Sequence, residues 1–304
     1  MPSTHPVTAA DLFPQTFERF EFQGPRGRIC GRRGGSGPAL LLLHGYPQTH
    51  VMWHPLAGAL AAHFSLILPD LPGYGDSDLP GEPVEAMSKR QLAMDICTLM
   101  DAFGHGRFAV CGHDRGGRVA YRLALDHPAR VSRLAVLDIL PTHDYWQRMD
   151  KAFALKVYHW AFLAQPEPLP ERLIGGDPGF YLDHTMASWT ARKNLSAFHP
   201  AALAAYRAAF AATGRVHAAC QDYRAGATAD FADDAADLAT GRRISAPLLA
   251  LWGGHGIAPG AGTPLDVWRN WASDVQGKAI DGGHFLVEEN PTETLSALLP
   301  FLTA

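Results

Sequence analysis

A mostly parallel β-sheet with helices on both faces, interrupted by an inserted helical cap, is the α/β architecture that the sequence predicts. Three observations point to it. Ala39–Leu43 is an unbroken apolar run of strand length, the signature of a strand buried on both faces. Strand-like and helix-like stretches alternate up to about His143. From there no clear strand appears until Pro247–Trp252, an interval rich in Ala, Tyr, Trp and Phe at helical spacing. The expected division is a first part of the core at 1–143, a cap at 144–242 and a second part of the core at 243–304.

Phe20–Phe22 and Arg28–Gly31 read as an early hairpin, and the buried run Ala39–Leu43 ends in His44-Gly45-Tyr46-Pro47. Phe64–Leu68 is the next strand, stopped by the Pro/Gly-rich loop Asp70–Ser77. Ser88 and Gln91 form a capping pattern for a helix from Lys89, whose apolar face is Leu92, Ile96, Leu99, Met100 and Phe103. A strand at Phe108–Cys111 and a helix at Arg118–Leu125 follow, the helix stopping before Pro128. Leu134–Leu140 is another strand. Within the cap, helical spacing breaks at Pro166–Pro170 and at Gly175–Gly179, and the Ala-rich stretch Ala201–Ala212 reads as helix. The core resumes with Leu248–Trp252, a short strand near Lys278–Ile280 and a closing helix from about Pro291.

The chain is organised around Gly112-His113-Asp114-Arg115-Gly116, which has the G-x-Nu-x-G form of a nucleophile elbow with aspartate where esterases and lipases carry serine. Its context is the required one: a strand, a sharp turn and a helix. Serine attacking a saturated carbon would form an ether, which activated water does not readily cleave. Aspartate forms an ester, whose carbonyl water can attack to restore the enzyme. A carboxylate elbow therefore points to substitution at sp³ carbon, with carbon–halogen or epoxide C–O cleavage.

Composition excludes several other classes. The 304 residues, 47% hydrophobic, allow a sizeable core. A net charge of −4 gives no general attraction to nucleic acid or to an anionic membrane. No 18-residue apolar segment exists to span a membrane. Met1–Pro14 lacks a basic region followed by an apolar run, so no secretion signal is expected. Cys30, Cys97, Cys111 and Cys220 are widely spaced, which suits a reducing cytoplasm without structural disulfides.

An aspartyl ester needs a base for water. Among 15 histidines, His284 stands out, in a glycine-flanked turn after the last strand and before the last helix. Histidine needs an acid to fix its tautomer. The loop after the penultimate strand, Gly253–Pro259, has no carboxylate, and Asp266 falls in the following helix. Asp138 interrupts the apolar run Val136–Leu140, where an unpaired carboxylate would be costly to bury, and is the expected acid. The turn at Tyr46 and the residue after the nucleophile, Arg115, are expected to supply backbone N–H groups to an oxyanion; the alternative for the first is a plain strand-to-helix turn.

On these residues the chain resembles the fluoroacetate (haloacetate) dehalogenases of the α/β-hydrolase superfamily, over nearly its full length. The resemblance rests on His113–Arg118, Leu137–Pro141, Tyr158-His159-Trp160, Asp222–Gly226 and Gly283-His284-Phe285. It implies that Arg115 and Arg118 bind the substrate carboxylate. Physics agrees: they stand three apart at a helix start, and arginine binds carboxylates bidentately. It also implies that His159, Trp160 and Tyr223 hold the leaving halide, through N–H and O–H donors worth roughly 1.5–3 kcal/mol each to a charged group. Without the resemblance, Trp160 and Tyr223 would read as cap packing. Tyr46, Trp189 and His113 are further pocket candidates without an assigned role. The implied reaction is hydrolysis of a small haloacid through an ester on Asp114, with no metal or organic cofactor and no nucleic-acid or membrane partner; the sequence admits a homodimer without specifying one. An epoxide hydrolase would use the same triad with cap phenols, for which Tyr158, Tyr181 and Tyr223 are available. A binding protein of this fold that lacks turnover is the rival outside enzymes.

Overall fold

A computed structural model describes residues 7–81, 83–256 and 263–304. The first six residues of the segment read for a secretion signal lie outside them, as do Ile257–Pro259 of the loop after the penultimate strand.

The apolar runs become strands because only a sheet covered on both faces buries every side chain of such a run. The strands are β1 (Glu18–Gly24), β2 (Gly27–Gly34), β3 (Ala39–Leu43), β4 (Ser65–Pro69), β5 (Phe108–His113), β6 (Val131–Leu137), β7 (Leu248–Gly253) and β8 (Val275–Ile280). They form one sheet in the order β1-β2-β4-β3-β5-β6-β7-β8. The hairpin β1–β2 and the β2–β4 pair are antiparallel, and every later pair is parallel. Leu40, Leu41, Leu42 and Leu43 of β3 are wholly buried, each contributing roughly 1.5–3 kcal/mol by leaving water.

The helices of the core are α1 (His54–Ala61), α2 (Lys89–Ala102) and α3 (Asp114–Asp126). Ser88 caps α2 by accepting from the Gln91 N–H, and Leu92, Ile96, Leu99 and Met100 form its buried face. Between β6 and β7 the chain is helical: α4 (Thr142–Gln147), α5 (Lys151–Lys156), α6 (His159–Leu163), α7 (Leu169–Gly175), α8 (Pro178–Trp189), α9 (Pro200–Ala211), α10 (Arg215–Ala227) and α11 (Ala229–Thr240). The breaks between α6, α7 and α8 fall at the proline and glycine clusters, where helical hydrogen bonding is interrupted. The core closes with α12 (Pro264–Trp271), α13 (Leu286–Glu289) and α14 (Pro291–Thr303). No helix among the described residues is long and apolar enough to cross a membrane, and the four cysteines are free and buried.

Parallel pairing decides where the chemistry can sit. Gly112 pairs with Val136, Leu137 with Leu251, and Gly253 with Ile280. The C-terminal ends of β5, β6, β7 and β8 therefore lie at one edge. Residues that follow those strands meet there, although up to 170 positions separate them: Asp114 after β5 and His284 after β8. Open α/β sheets bind ligands at this edge, where the strand order reverses direction.

Candidate active site

Asp114 is the first residue of α3 and is buried, with φ 46°. A non-glycine residue in the left-handed region costs about 1–3 kcal/mol and persists only where the surroundings hold it. The hold comes from the loop after β3. The Tyr46 N–H donates to Asp114 Oδ1 at 2.9 Å. Gly45 must be glycine for that loop to come so near, since a Cβ there would lie 2.4 Å from Asp114 Cβ. The Arg115 N–H stands in the first turn of α3, where backbone donors have no intrahelical acceptor.

His284 lies across from Asp114, with Nε2 3.9 Å from Asp114 Oδ2 and without a hydrogen-bond partner. Its Nδ1 is 2.6 Å from Asp138 Oδ2. An ionised carboxylate only accepts, so Nδ1 carries the proton and Nε2 presents its lone pair toward Asp114. Asp138 follows β6 at φ 52°, and its Oδ1 accepts from the Gly253 N–H at 2.9 Å. Burial disfavours the imidazolium of His284, but the bond and charge of Asp138, with the charge of Asp114, outweigh burial and raise its pKa. For Asp114 burial acts upward, yet His284, His113, Arg115 and Arg118 together bring the pKa below the usual carboxylate value. The Asp114 carboxyl is thus ionised at neutral pH. Asp266, the other candidate acid, is exposed and accepts from the Thr263 N–H at the start of its own helix and from Arg269, not from His284.

Arg115 and Arg118 are both buried. Arg115 donates from Nε and Nη2 to the two carboxylate oxygens of Asp222, at 3.0 and 2.7 Å, leaving Nη1 without a partner. Arg118 donates from Nη1 to the Leu140 carbonyl and the Thr142 hydroxyl, leaving Nε without a partner. Among the described residues no carboxylate forms an ion pair with Arg118 within 4.0 Å. Its guanidinium instead lies over the rings of Trp160 and Tyr145, at 4.4 and 5.1 Å.

His159, Trp160 and Tyr223 meet in one cluster. The Tyr223 ring is 5.7 Å from His159 and 5.8 Å from Trp160, each at a T-shaped angle. His159 Nδ1 and the Tyr223 hydroxyl are buried without partners. Burial drives the His159 pKa down to about 3, so the ring is neutral with one N–H. Burial, helped by the charge of Asp114, raises that of Tyr223, so its hydroxyl keeps its proton. Of the pocket candidates, Trp189 lies 4.4 Å from His159 and 5.2 Å from His284, ring to ring. Tyr46 packs its ring on Tyr223 at 5.4 Å. His113 Nε2 is 2.9 Å from the His284 carbonyl, to which it donates. Of the three candidate cap phenols, Tyr158 is 42% exposed, Tyr181 is partly buried and Tyr223 is buried.

Residues 38–291 match the model of the alpha/beta hydrolase fold family. The chain belongs to that family. Among its relatives is a fluoroacetate dehalogenase from Burkholderia sp, 42% identical over 89% of this chain and 88% of the relative. A soluble epoxide hydrolase from Corynebacterium sp. (strain C12) is 31% identical over 88% of this chain and 91% of its own. A solved α/β hydrolase from Nostoc sp PCC 7120 superposes with a TM-score of 0.91 at 48% identity, covering 94% of this chain and 98% of that one.

This α/β hydrolase also uses residues that the sequence did not single out. Asp222 is wholly buried and sits between two cations, Arg115 and Lys89, while the Tyr74 hydroxyl donates to it at 2.6 Å. It orients the Arg115 fork, so that one face of the guanidinium is spent on protein and Nη1 is left over. Asp222 stands in the Asp222–Gly226 stretch that carried the resemblance, but Lys89 and Tyr74 lie on distant segments, and no local pattern joins them to it.

Proposed function

We propose that the protein hydrolyses haloacetates such as fluoroacetate and chloroacetate to glycolate and halide, as a hydrolase acting on carbon–halide bonds. The observation that carries this reading is the buried Arg118 guanidinium without a carboxylate partner, beside the free Nη1 of Arg115. An uncompensated buried charge costs about 3–5 kcal/mol, and the aromatic rings and two hydrogen bonds on Arg118 offset only part of it. A small anionic substrate supplies the missing charge. The likeness to the Burkholderia fluoroacetate dehalogenase supports the same substrate class.

The steps follow from the geometry. The substrate carboxylate binds Arg115 Nη1 and Arg118 Nε. Asp114 Oδ1 is engaged by Tyr46, so Oδ2 attacks the methylene carbon. The carbon–halogen bond breaks, and halide departs toward the donors of His159, Trp160 and Tyr223. Fluoride is a poor leaving group but a strong hydrogen-bond acceptor, so donors held in a dry pocket matter most for it. Water then gives a proton to His284 Nε2 and attacks the ester carbonyl. Negative charge collects on Oδ1, against the N–H groups of Tyr46 and Arg115. Collapse releases glycolate, whose oxygen takes the proton back, while Asp138 stabilises the imidazolium in between.

Incubation with fluoroacetate and, separately, with a simple epoxide tests the proposal, reading fluoride by electrode and diol by chromatography. Fluoride release is expected. Diol formation without fluoride would instead favour epoxide hydrolysis, the reading that the Corynebacterium relative and the unpartnered Tyr223 hydroxyl support. Ligand binding without either product would mean a receptor. For the acid, Asp138→Asn is expected to slow ester hydrolysis by up to about 10⁴-fold, because an amide imposes the wrong tautomer on His284. Asp266→Asn should leave turnover nearly unchanged; the reverse pattern in steady-state rates would move the acid to the later position.

A further inference from the structure

The base is fixed by more than its acid. The loop that carries His284 is clamped along its backbone, and Glu289 supplies most of the clamp. Its Oε2 accepts from the Gly283 N–H at 3.0 Å and from the Ala191 N–H at 2.8 Å, and its Oε1 accepts from the Phe285 N–H at 3.0 Å. The residues on either side of His284 are thus held by one carboxylate, which also holds the segment after α8. That segment grips the base directly: the His284 N–H donates to the Trp189 carbonyl at 3.0 Å. The approach is so tight that a Cβ at Gly283 would lie 2.5 Å from both Ala191 N and the Trp189 carbonyl oxygen. The Trp189 ring, at the same time, bridges His159 and His284.

We propose that Glu289 is a positioning residue for ester hydrolysis, strapping the His284 loop to the Trp189–Ala191 segment of the helical insertion so that Nε2 is held over the Asp114 carbonyl. This rests on the reading of His284 as the base. Three charge-assisted bonds to one carboxylate are strong. A misplacement of about 1 Å in a reacting group costs on the order of 10²-fold. The strap acts on the second half-reaction. The first needs Asp114, the arginines and the halide donors, none of which touches Glu289.

Two variants test it. Glu289→Gln keeps the volume but presents an amide N–H₂ to backbone donors on one side. Ala191→Pro deletes one N–H and sets a ring Cδ where Glu289 Oε2 now accepts, so the carboxylate keeps its charge and the Oε1 bond to the Phe285 N–H but loses this anchor; Thr190, at φ −70° and ψ 157°, already has the backbone that a following proline requires. First-turnover halide release is measured by rapid quench, and decay of the ester on Asp114 by intact mass. For Glu289→Gln, release within about twofold of wild type and ester decay slowed about 10- to 100-fold are expected, with Ala191→Pro slowed in the same direction. Groups whose charge acts on His284 include Asp138, Asp114 and Glu289, with His113 beside it. Removing the Glu289 charge should therefore move the pH midpoint of ester decay downward, and Ala191→Pro should not move it. Equal slowing of both half-reactions, or unchanged ester decay in either variant that folds, overturns the inference. Failure of wild-type enzyme to form any ester on Asp114, from haloacetate or epoxide, overturns the proposed function along with it.

Discussion

Asp114→Asn is expected to abolish halide release, with a loss on the order of 10⁶-fold, the scale found when a covalent nucleophile is removed. Asparagine is the informative replacement because it tolerates the left-handed backbone at φ 46° better than most non-glycine residues. Its amide oxygen can still accept from the Tyr46 N–H, so the elbow and the pocket keep their shape. What is lost is the anionic oxygen, and a neutral amide does not displace fluoride from carbon. The remaining arginines and donors can still bind substrate, so haloacetate should protect the variant against thermal unfolding while it turns over nothing. Wild-type enzyme in ¹⁸O-water, held to a single turnover, completes the argument. The glycolate oxygen comes from the carboxylate, so label should enter Asp114 first and product only in later turnovers. Label in first-turnover glycolate, or near-normal rates in Asp114→Asn, would mean that water attacks carbon directly.

The features that single out Asp114 and Asp138 are legible in the sequence. An apolar strand and a glycine-rich turn are local signals, and so is an aspartate inside an apolar run. Boundaries were less legible, for physical reasons. The sequence places the elbow helix at Arg118, whereas α3 begins at Asp114, because two glycines in the first turn lower the helix signal while close packing on β5 enforces the helix. It carries β6 to Leu140, whereas the strand ends at Leu137; Asp138 turns to φ 52° and aims its carboxylate at His284 instead of continuing the ladder. Periodicity alone does not bring Tyr223 to His159 and Trp160, since it stands on α10 and they stand on α6, and the packing of those helices is set by tertiary contacts. Resemblance suggested that grouping, and the ring geometry gives it a place. The pairing of Arg115 with Asp222, and of Asp222 with Lys89 and Tyr74, was beyond reach, because Lys89 and Tyr74 read alone as ordinary residues on distant segments.

The division of labour between Asp114 and His284 carries the last prediction. Alkylation needs only an ionised carboxylate, bound substrate and donors for the halide. In His284→Asn one of the groups that holds Asp114 ionised is gone, but His113, Arg115 and Arg118 remain, so the first half-reaction should proceed. Asparagine can still donate to Asp138 but has no basic nitrogen to take a proton from water. Loss of a general base costs roughly 10²–10⁴-fold, and that loss falls wholly on hydrolysis of the ester. Mixing the variant with chloroacetate should therefore release about one halide per active site as a burst and then stop. Intact mass spectrometry should find a carboxymethyl adduct, and peptide mapping should place it on Asp114. The adduct should persist after substrate is removed, since the Tyr46 and Arg115 N–H groups stabilise an oxyanion that unactivated water forms too slowly to matter. Sustained turnover would show that another group serves as base, and an adduct on a different residue would displace Asp114 as the nucleophile.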